Sequence, residues 1–179
     1  DQAGNSKTSS SASYRVSKKI TITYNRNNAT QIVLSGGGFV EDESGQTASQ
    51  TKYTTDPNGA TFSTPSISVS NSTAVIKGWS TNKDATSATY SVNKGYKFTS
   101  SRTLYAIFTV KRTLNAQNVT VSCNAYKNGS CSVVLPASSG TCNGQYIYYD
   151  NLTGKQLGYP NSTISIDKDY TAIRKCVSS

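Results

Sequence analysis

The sequence of 179 residues contains no histidine and only nine carboxylate side chains. Without imidazole, a Ser-His-Asp triad, a Cys-His pair and a histidine metal site are all excluded. The carboxylates are mostly scattered, so they offer little for general acid–base chemistry. We therefore expect no enzyme, no catalytic residues, and no metal or other cofactor.

Long apolar runs are also missing. No segment approaches the ~18 apolar residues of a membrane-spanning helix, and no signal-peptide core is present. We predict that this segment does not insert into a membrane. The chain starts with Asp and contains no methionine, which is typical of a mature product or an excised segment.

Hydroxyl and amide side chains are abundant: 28 Ser, 23 Thr and 15 Asn. Ser, Thr and Asn compete with the helix backbone for hydrogen bonds, whereas Thr and the 12 Tyr suit half-buried strands. The composition predicts a mostly β fold.

The net charge of +9 favours anionic partners. The basic residues are spread along the chain, with only three doublets: Lys18-Lys19, Lys111-Arg112 and Arg174-Lys175. This spread is typical of a solvated surface, so we expect no nucleic-acid partner. The expected partners are a host glycan or protein, or an anionic cell-wall polymer, and we expect a monomer.

Alternation of apolar and polar residues marks several strands after a flexible, Ser-rich lead at residues 1–13. The first strand is Ile20–Tyr24, and a hairpin is predicted from Thr51 to Pro65. Arg102–Val110 has the strongest strand pattern of the chain.

The second half of the chain weakly repeats the first. Asn58-Gly59 precedes a proline by six residues and Asn128-Gly129 precedes one by seven, each pair within a predicted hairpin. The economical interpretation is two tandem β units, residues 14–113 and 114–179.

Residues of the first unit resemble a known family. An I-T-Y-N strand, the block Gly78–Thr81 (GWST) and the closing strand Thr103–Phe108 (TLYAIF) are similar to the Listeria–Bacteroides repeat, the internalin B-repeat-like module of bacterial surface proteins. Residues 14–110 form one good copy, and residues 114–176 a degenerate copy. The resemblance implies compact β-grasp-like units repeated in tandem, which serve as stalks or adhesion modules and carry no catalytic residues.

All the cysteines lie in the last third of the chain, at Cys123, Cys131, Cys142 and Cys176. Their spacing matches no zinc motif, and an even number in a small polar segment favours two disulfides in an oxidising compartment over four reduced thiols. Three pairings are open. We favour Cys123–Cys131 across a turn and Cys142–Cys176 between two strands.

The aromatic residues offer two candidate positions for function. Trp79, the only tryptophan, is expected to be a core anchor beneath the closing strand rather than a platform for sugars. Tyr146 and Tyr148 share a face of one strand, and with Arg174 or Lys175 nearby they would form a surface for a glycan or protein. Ordinary cross-strand packing of these tyrosines is the alternative.

The sequence thus predicts a non-enzymatic, extracellular segment on the surface of a bacterium, with a Gram-positive source favoured. Adhesion or ligand binding is the first functional hypothesis. A structural spacer that presents another domain is the second, because tandem repeats contact only their neighbours. A carbohydrate-binding accessory module is the third.

Overall fold

The computed structural model describes residues 16–178 and contains strands but no helix within that range. The mostly β class is therefore confirmed, while the predicted lead at residues 1–13 lies outside the described residues. The strands are β1 (Lys18–Asn25), β2 (Gln31–Val33), β3 (Phe39–Glu41), β4 (Thr47–Thr54), β5 (Ala60–Ser63), β6 (Ser66–Ser68), β7 (Val75–Ser80), β8 (Gly95–Phe98), β9 (Arg102–Ala116), β10 (Val119–Tyr126), β11 (Cys131–Val134), β12 (Gln145–Asp150), β13 (Gln156–Gly158), β14 (Thr163–Ile166) and β15 (Tyr170–Val177).

The 15-residue strand β9 organises a nine-stranded sheet, because it pairs with four other strands along its length. Its first half pairs with β1 in parallel and with β7 antiparallel. Its second half pairs with β10 antiparallel and with β15 in parallel. Strands β4 and β3 extend the sheet beyond β1, and β12 and β13 extend it beyond β15.

The predicted boundary between residues 113 and 114 falls inside β9. Leu104, Ala106 and Phe108 belong to one buried cluster, and Leu114 and Ala116 belong to a second. All five have even numbers, so both cores lie on the same face of one continuous strand. The tandem β-grasp-like organisation is not confirmed by this arrangement.

Small two-stranded sheets cover that face. The pairs β2–β6 and β5–β8 contribute Ile32, Ile67, Phe62 and Phe98 to the first core. The pair β11–β14 covers the second core. No two-stranded sheet covers the opposite face in the described part of the chain, although Ile107 and Thr109 of β9 and Ile147 of β12 are buried on it. We call it the open face.

Trp79 is fully buried in the first core, as expected of an anchor beneath the closing strand. Its Cα is paired with that of Ala106 on β9, and its ring meets Tyr24 edge to face at 5.0 Å between centroids. The indole Nε1–H donates to the Pro65 carbonyl at 2.9 Å, which satisfies its only polar group.

The hairpin predicted from Thr51 to Pro65 is wrong, although its turn forms: the Gly59 N–H donates to the Asp56 carbonyl at 3.0 Å. Strand β4 pairs with β1 and β3, whereas β5 crosses to the covering layer and pairs with β8. The physical reason is Phe62, which is buried against Phe98 in the core and so draws β5 away from β4.

The structure contains two disulfides, Cys123–Cys131 and Cys142–Cys176, which is the pairing favoured from the sequence. The first joins β10 of the large sheet to β11 of the covering layer. The second joins the segment before β12 to the end of β15. Two disulfides indicate an oxidising environment such as the extracellular space.

Candidate ligand-binding surface

The aromatic strand β12 presents its tyrosines to different surroundings. Tyr148 is 3% exposed and packs in the second core. Its hydroxyl donates to the Pro136 carbonyl at 3.0 Å. Tyr148 therefore does not belong to an exposed binding surface, because the β11–β14 layer and the loop after it cover this part of the face.

Tyr146 lies on the same face as Tyr148 but near the rim, where it is half-buried. The guanidinium carbon of Arg174 lies 4.5 Å from the centre of its ring. The register explains this contact, because Tyr148 pairs with Arg174 and Tyr146 is the diagonal neighbour two residues away. Tyr146 and Arg174 thus form a cation–π pair.

Lys175 points to the open face, where its ammonium lies 5.3 Å from the centre of the Tyr149 ring. The four residues predicted as one surface are therefore divided. Tyr146 and Arg174 share the rim of the covered face, Tyr148 lies in the core, and Lys175 lies on the opposite face with Tyr149. Sequence alternation gives the two faces of a strand, but it does not say which face another layer covers.

A cleft of about 260 Å³ opens beside Tyr146. Its other walls come from Tyr159, Pro160, Asn161, Gln145 and Ser138. Tyr159 is 47% exposed, so the cleft combines two tyrosine rings with amide side chains. Tyr159 was not predicted from the sequence, because its place beside Tyr146 depends on the path of the loop after β13.

Two adjoining clefts of about 360 and 350 Å³ share Asp150, Lys168 and Tyr170. The Leu152 N–H donates to Asp150 Oδ1 at 2.9 Å and is the main cause of the lowered pKa of Asp150. Burial raises the pKa of Tyr170, and so does the hydrogen bond that its hydroxyl donates to Asp167. These groups serve the local turns, and no nucleophile faces a base there among the described residues.

Ion pairs are scarce in residues 16–178. Two are present, Lys97 with Asp56 and Lys127 with Asp84. The described part of the chain contains no cluster of three metal-ligating side chains and no helix that could cross a membrane. Most basic side chains of this range therefore face solvent without a carboxylate partner.

Comparisons with protein-family models, with curated proteins and with solved structures found no match to this chain. The resemblance to the Listeria–Bacteroides repeat therefore stays a prediction.

Proposed function

We propose that this chain is a non-enzymatic, extracellular spacer in a bacterial surface protein, where it holds another domain at a distance and carries load. The observation that supports this proposal is strand β9, which runs through both cores. At about 3.3 Å per residue its 15 residues extend for about 50 Å.

The direction of the terminal strands supports a load-bearing role. Strands β1 and β15 both run parallel to β9, one beside its start and the other beside its end. The described chain therefore enters at one end of β9 and leaves near the other. A pulling force between the two ends acts along the strands, so the ladder hydrogen bonds are loaded together rather than one by one.

Contacts between the two halves favour a stiff molecule. Lys127 forms an ion pair with Asp84, and the Asn28 side-chain amide donates to the Lys127 carbonyl at 3.2 Å. In β9, the Lys111 N–H donates to Thr73 Oγ1, in the loop before β7, at 3.0 Å. These bonds join loops of the first half to strand β9 and to the turn after β10.

Single-molecule pulling in two geometries tests the spacer. One handle pair is attached at residues 16 and 178, and the other at Lys18 and Thr54, which face each other at one end of the β1–β4 ladder. We expect the unfolding force to be at least about twofold higher between the chain ends, because the second geometry peels the ladder pair by pair. Equal forces in the two geometries would overturn the proposal.

A second candidate function, binding of a neutral glycan, is favoured by the cleft between Tyr146 and Tyr159. Two aromatic rings and flanking amides suit the apolar face and hydroxyls of a sugar. Tyr146→Ala and Tyr159→Ala should each weaken glycan binding about tenfold, whereas Tyr53→Ala, at a 67% exposed tyrosine outside the cleft, should not change it. A panel of glycans that all fail to bind the folded, oxidised protein would remove this candidate.

A further inference from the structure

Strand β10 has one side that no other strand of the described chain pairs with. Within residues 16–178 its only strand partner is β9, and the one backbone bond on its outer side is local, from the Gly129 N–H to the Tyr126 carbonyl. The other strands with a whole side unpaired have three or four residues, whereas β10 has eight. The outer side of β7 is bridged, because the Trp79 N–H donates to the Tyr90 carbonyl at 2.7 Å.

The register of the β9–β10 hairpin decides which backbone groups of β10 point outward. The turn has two residues, so Ala116 and Val119 exchange the first pair of backbone hydrogen bonds. Every second residue of β10 after Val119 bonds to β9 in the same way. The N–H and C=O groups of the residues between them, Thr120, Ser122 and Asn124, therefore point away from β9.

Strand β10 carries none of the features that usually protect a free sheet edge. Its sequence VTVSCNAY contains no charged residue, proline or glycine, and its ladder with β9 has no bulge, in a chain with 18 Lys and Arg. By contrast, the edge strand β3 is short and ends in Glu41, and β7 carries Lys77 and Gly78 beside a register shift. The edge of β10 is therefore open to another uncharged strand.

A second copy of the same chain offers such a strand. When two β10 strands meet antiparallel with Ser122 opposite Ser122, Thr120 of each copy lies opposite Asn124 of the other. The outward groups of three residues on each strand then match and form about six backbone hydrogen bonds. The hydroxyl and amide side chains that meet are exposed on the open face, so no like charges oppose each other. On the other face, Val119, which is 48% exposed, comes opposite Ala125.

We infer that β10 binds β10 of a second copy and joins the two nine-stranded sheets into one. The two-fold axis stands perpendicular to the sheet, so each copy uses the same edge and the assembly closes at a dimer. A contact through one strand is small, and its affinity is correspondingly weak. We expect a monomer below about 10 µM and a substantial share of dimer at about 500 µM.

The two-fold axis also sets the direction of the paired molecules. It makes the two β9 strands antiparallel, and β1 and β15 run parallel to β9 in each copy. If the chain is a spacer, as proposed above, copies on one surface project in the same direction and do not match. Copies on two facing surfaces project towards each other and do match. The pairing therefore suits contact between two cells that carry the same protein.

Sedimentation equilibrium of the oxidised full chain, between about 5 and 500 µM, tests the pairing. We expect a monomer–dimer equilibrium without larger species. Raising the salt concentration from about 0.05 to about 0.5 M should tighten the dimer several-fold, because it screens the repulsion between two copies that each carry a net charge of +9. A protein that stays monomeric at the highest concentration, or a dimer that salt weakens, would overturn the inference.

A lysine at the axis should block the pairing. Ser122→Lys places two ammonium groups opposite each other at an exposed position, and it should weaken the dimer at least about tenfold at physiological salt. Ser165→Lys adds an equal charge at an exposed position of β14 and should change the affinity less than about twofold. Circular dichroism and thermal unfolding establish that both variants are folded. Equal weakening in the two variants would contradict a contact through β10.

Amide hydrogen exchange locates the contact. The amides of Thr120, Ser122 and Asn124 should exchange freely at about 10 µM and be protected at about 500 µM. Those of Val121 and Cys123, which bond to β9, should be protected at both concentrations. New protection confined to another surface would be contrary to the inference. So would a protein that stays monomeric while a peptide of alternating Thr and Val protects the same amides, because the edge would then take a foreign strand.

Bead clustering tests the direction of the pairing separately from the spacer. Beads of one colour carry the chain attached at residue 16, and beads of a second colour carry it attached at residue 178. Facing beads of one colour present antiparallel copies, whereas facing beads of different colours present parallel copies. We expect clusters of a single colour, since many weak contacts act together, and none with Ser122→Lys. Evenly mixed clusters would contradict the antiparallel contact, while the pulling experiment tests the spacer on its own.

Discussion

Tyr24 shows how one residue can link burial to pH. Its side chain is fully buried in the first core, and its hydroxyl has no hydrogen-bond partner among the described residues. Burial raises the pKa of Tyr24 to about 12 from an ordinary value near 10. The folded state therefore holds the phenol proton more tightly than the unfolded state does.

This difference sets the direction of the pH dependence. Tyr24 contributes stability that is fully present below pH 10 and is lost as the pH rises through about 12. We expect Tyr24→Phe to lose less stability than the wild type between pH 8 and pH 11.5, by about 2 kcal/mol. Rapid urea unfolding at pH 8, 10 and 11.5 measures it, and parallel pH profiles for the two proteins would contradict the assignment.

Gly59 is a position where both the backbone and the space require glycine. Its φ is +90°, and a Cβ added there would lie 2.0 Å from the Phe98 carbonyl oxygen. Gly36 has a similar φ of +86° but no atom within 4 Å of an added Cβ. Alanine variants at these two positions therefore distinguish the cost of backbone strain alone from the cost of strain plus a steric clash.

We expect Gly36→Ala to lower the free energy of unfolding by about 1 kcal/mol, and Gly59→Ala to lower it by about 3 kcal/mol or more. The extra cost arises because β5 and β8 must separate to accept the methyl group. Equilibrium urea unfolding of both variants provides the measurement. A similar loss in the two variants would show that the contact with Phe98 does not matter.

At the scale of elements, alternation predicted the strand pattern better than it predicted the pairing. The apolar even-numbered residues of Arg102–Val110 are buried, as the alternation predicted, and Trp79 is in the core. The partners of β4 and β5 were not predictable, because pairing depends on distant side chains such as Phe98. For the same reason, the burial of Tyr148 could not be predicted without knowing where the β11–β14 layer lies.

The continuity of β9 was hidden by its charged residues. Lys111 and Arg112 interrupt the apolar pattern there, whereas the boundary between units was predicted from the weak internal repeat. In the structure Lys111 is exposed on the open face, and Arg112 Nη2 donates to the Asn128 and Gly129 carbonyls at 3.0 and 3.1 Å. Two consecutive basic residues can thus be solvated or hydrogen-bonded within a strand without ending it.

The two disulfides control how far the second half can extend. Cys142–Cys176 encloses residues 143–175, and Cys123–Cys131 encloses residues 124–130. Under tension between the chain ends, force passes through the sulfur bridges and these loops stay short. Reduction should therefore lengthen the unfolded chain by about 110 and 25 Å for the two loops, at about 3.4 Å per residue.

Pulling the protein before and after reduction measures this change in contour length. Replacing Cys142 and Cys176 together with Ser should reproduce the larger increment alone and cost about 4 kcal/mol of stability in the chain-entropy description. An oxidised protein that extends as far as the reduced one would contradict the force path through the bridges.

At the scale of the whole molecule, strand β9 joins two cores that would otherwise be separate. Val110 is fully buried between the two clusters, and Thr109 pairs with Val75 on one side and Tyr126 on the other. Every residue of β9 pairs with at least one neighbouring strand, although the register with β7 shifts between Ile107 and Phe108. A load-bearing spacer requires this continuity, because two loosely linked units would bend at the junction.

Unfolding of the Leu114→Ala variant, followed by two probes, tests this coupling most directly. Leu114 is fully buried in the second core, and its truncation should cost about 2–5 kcal/mol. Trp79, the only tryptophan, reports on the first core, and the amide of Ala172 reports on the second.

If β9 joins the two cores into one body, the urea midpoints from Trp79 fluorescence and from Ala172 amide exchange will fall together in the variant. A Trp79 midpoint that stays at its wild-type value, while the Ala172 amide loses protection, would show two independent units and contradict the spacer.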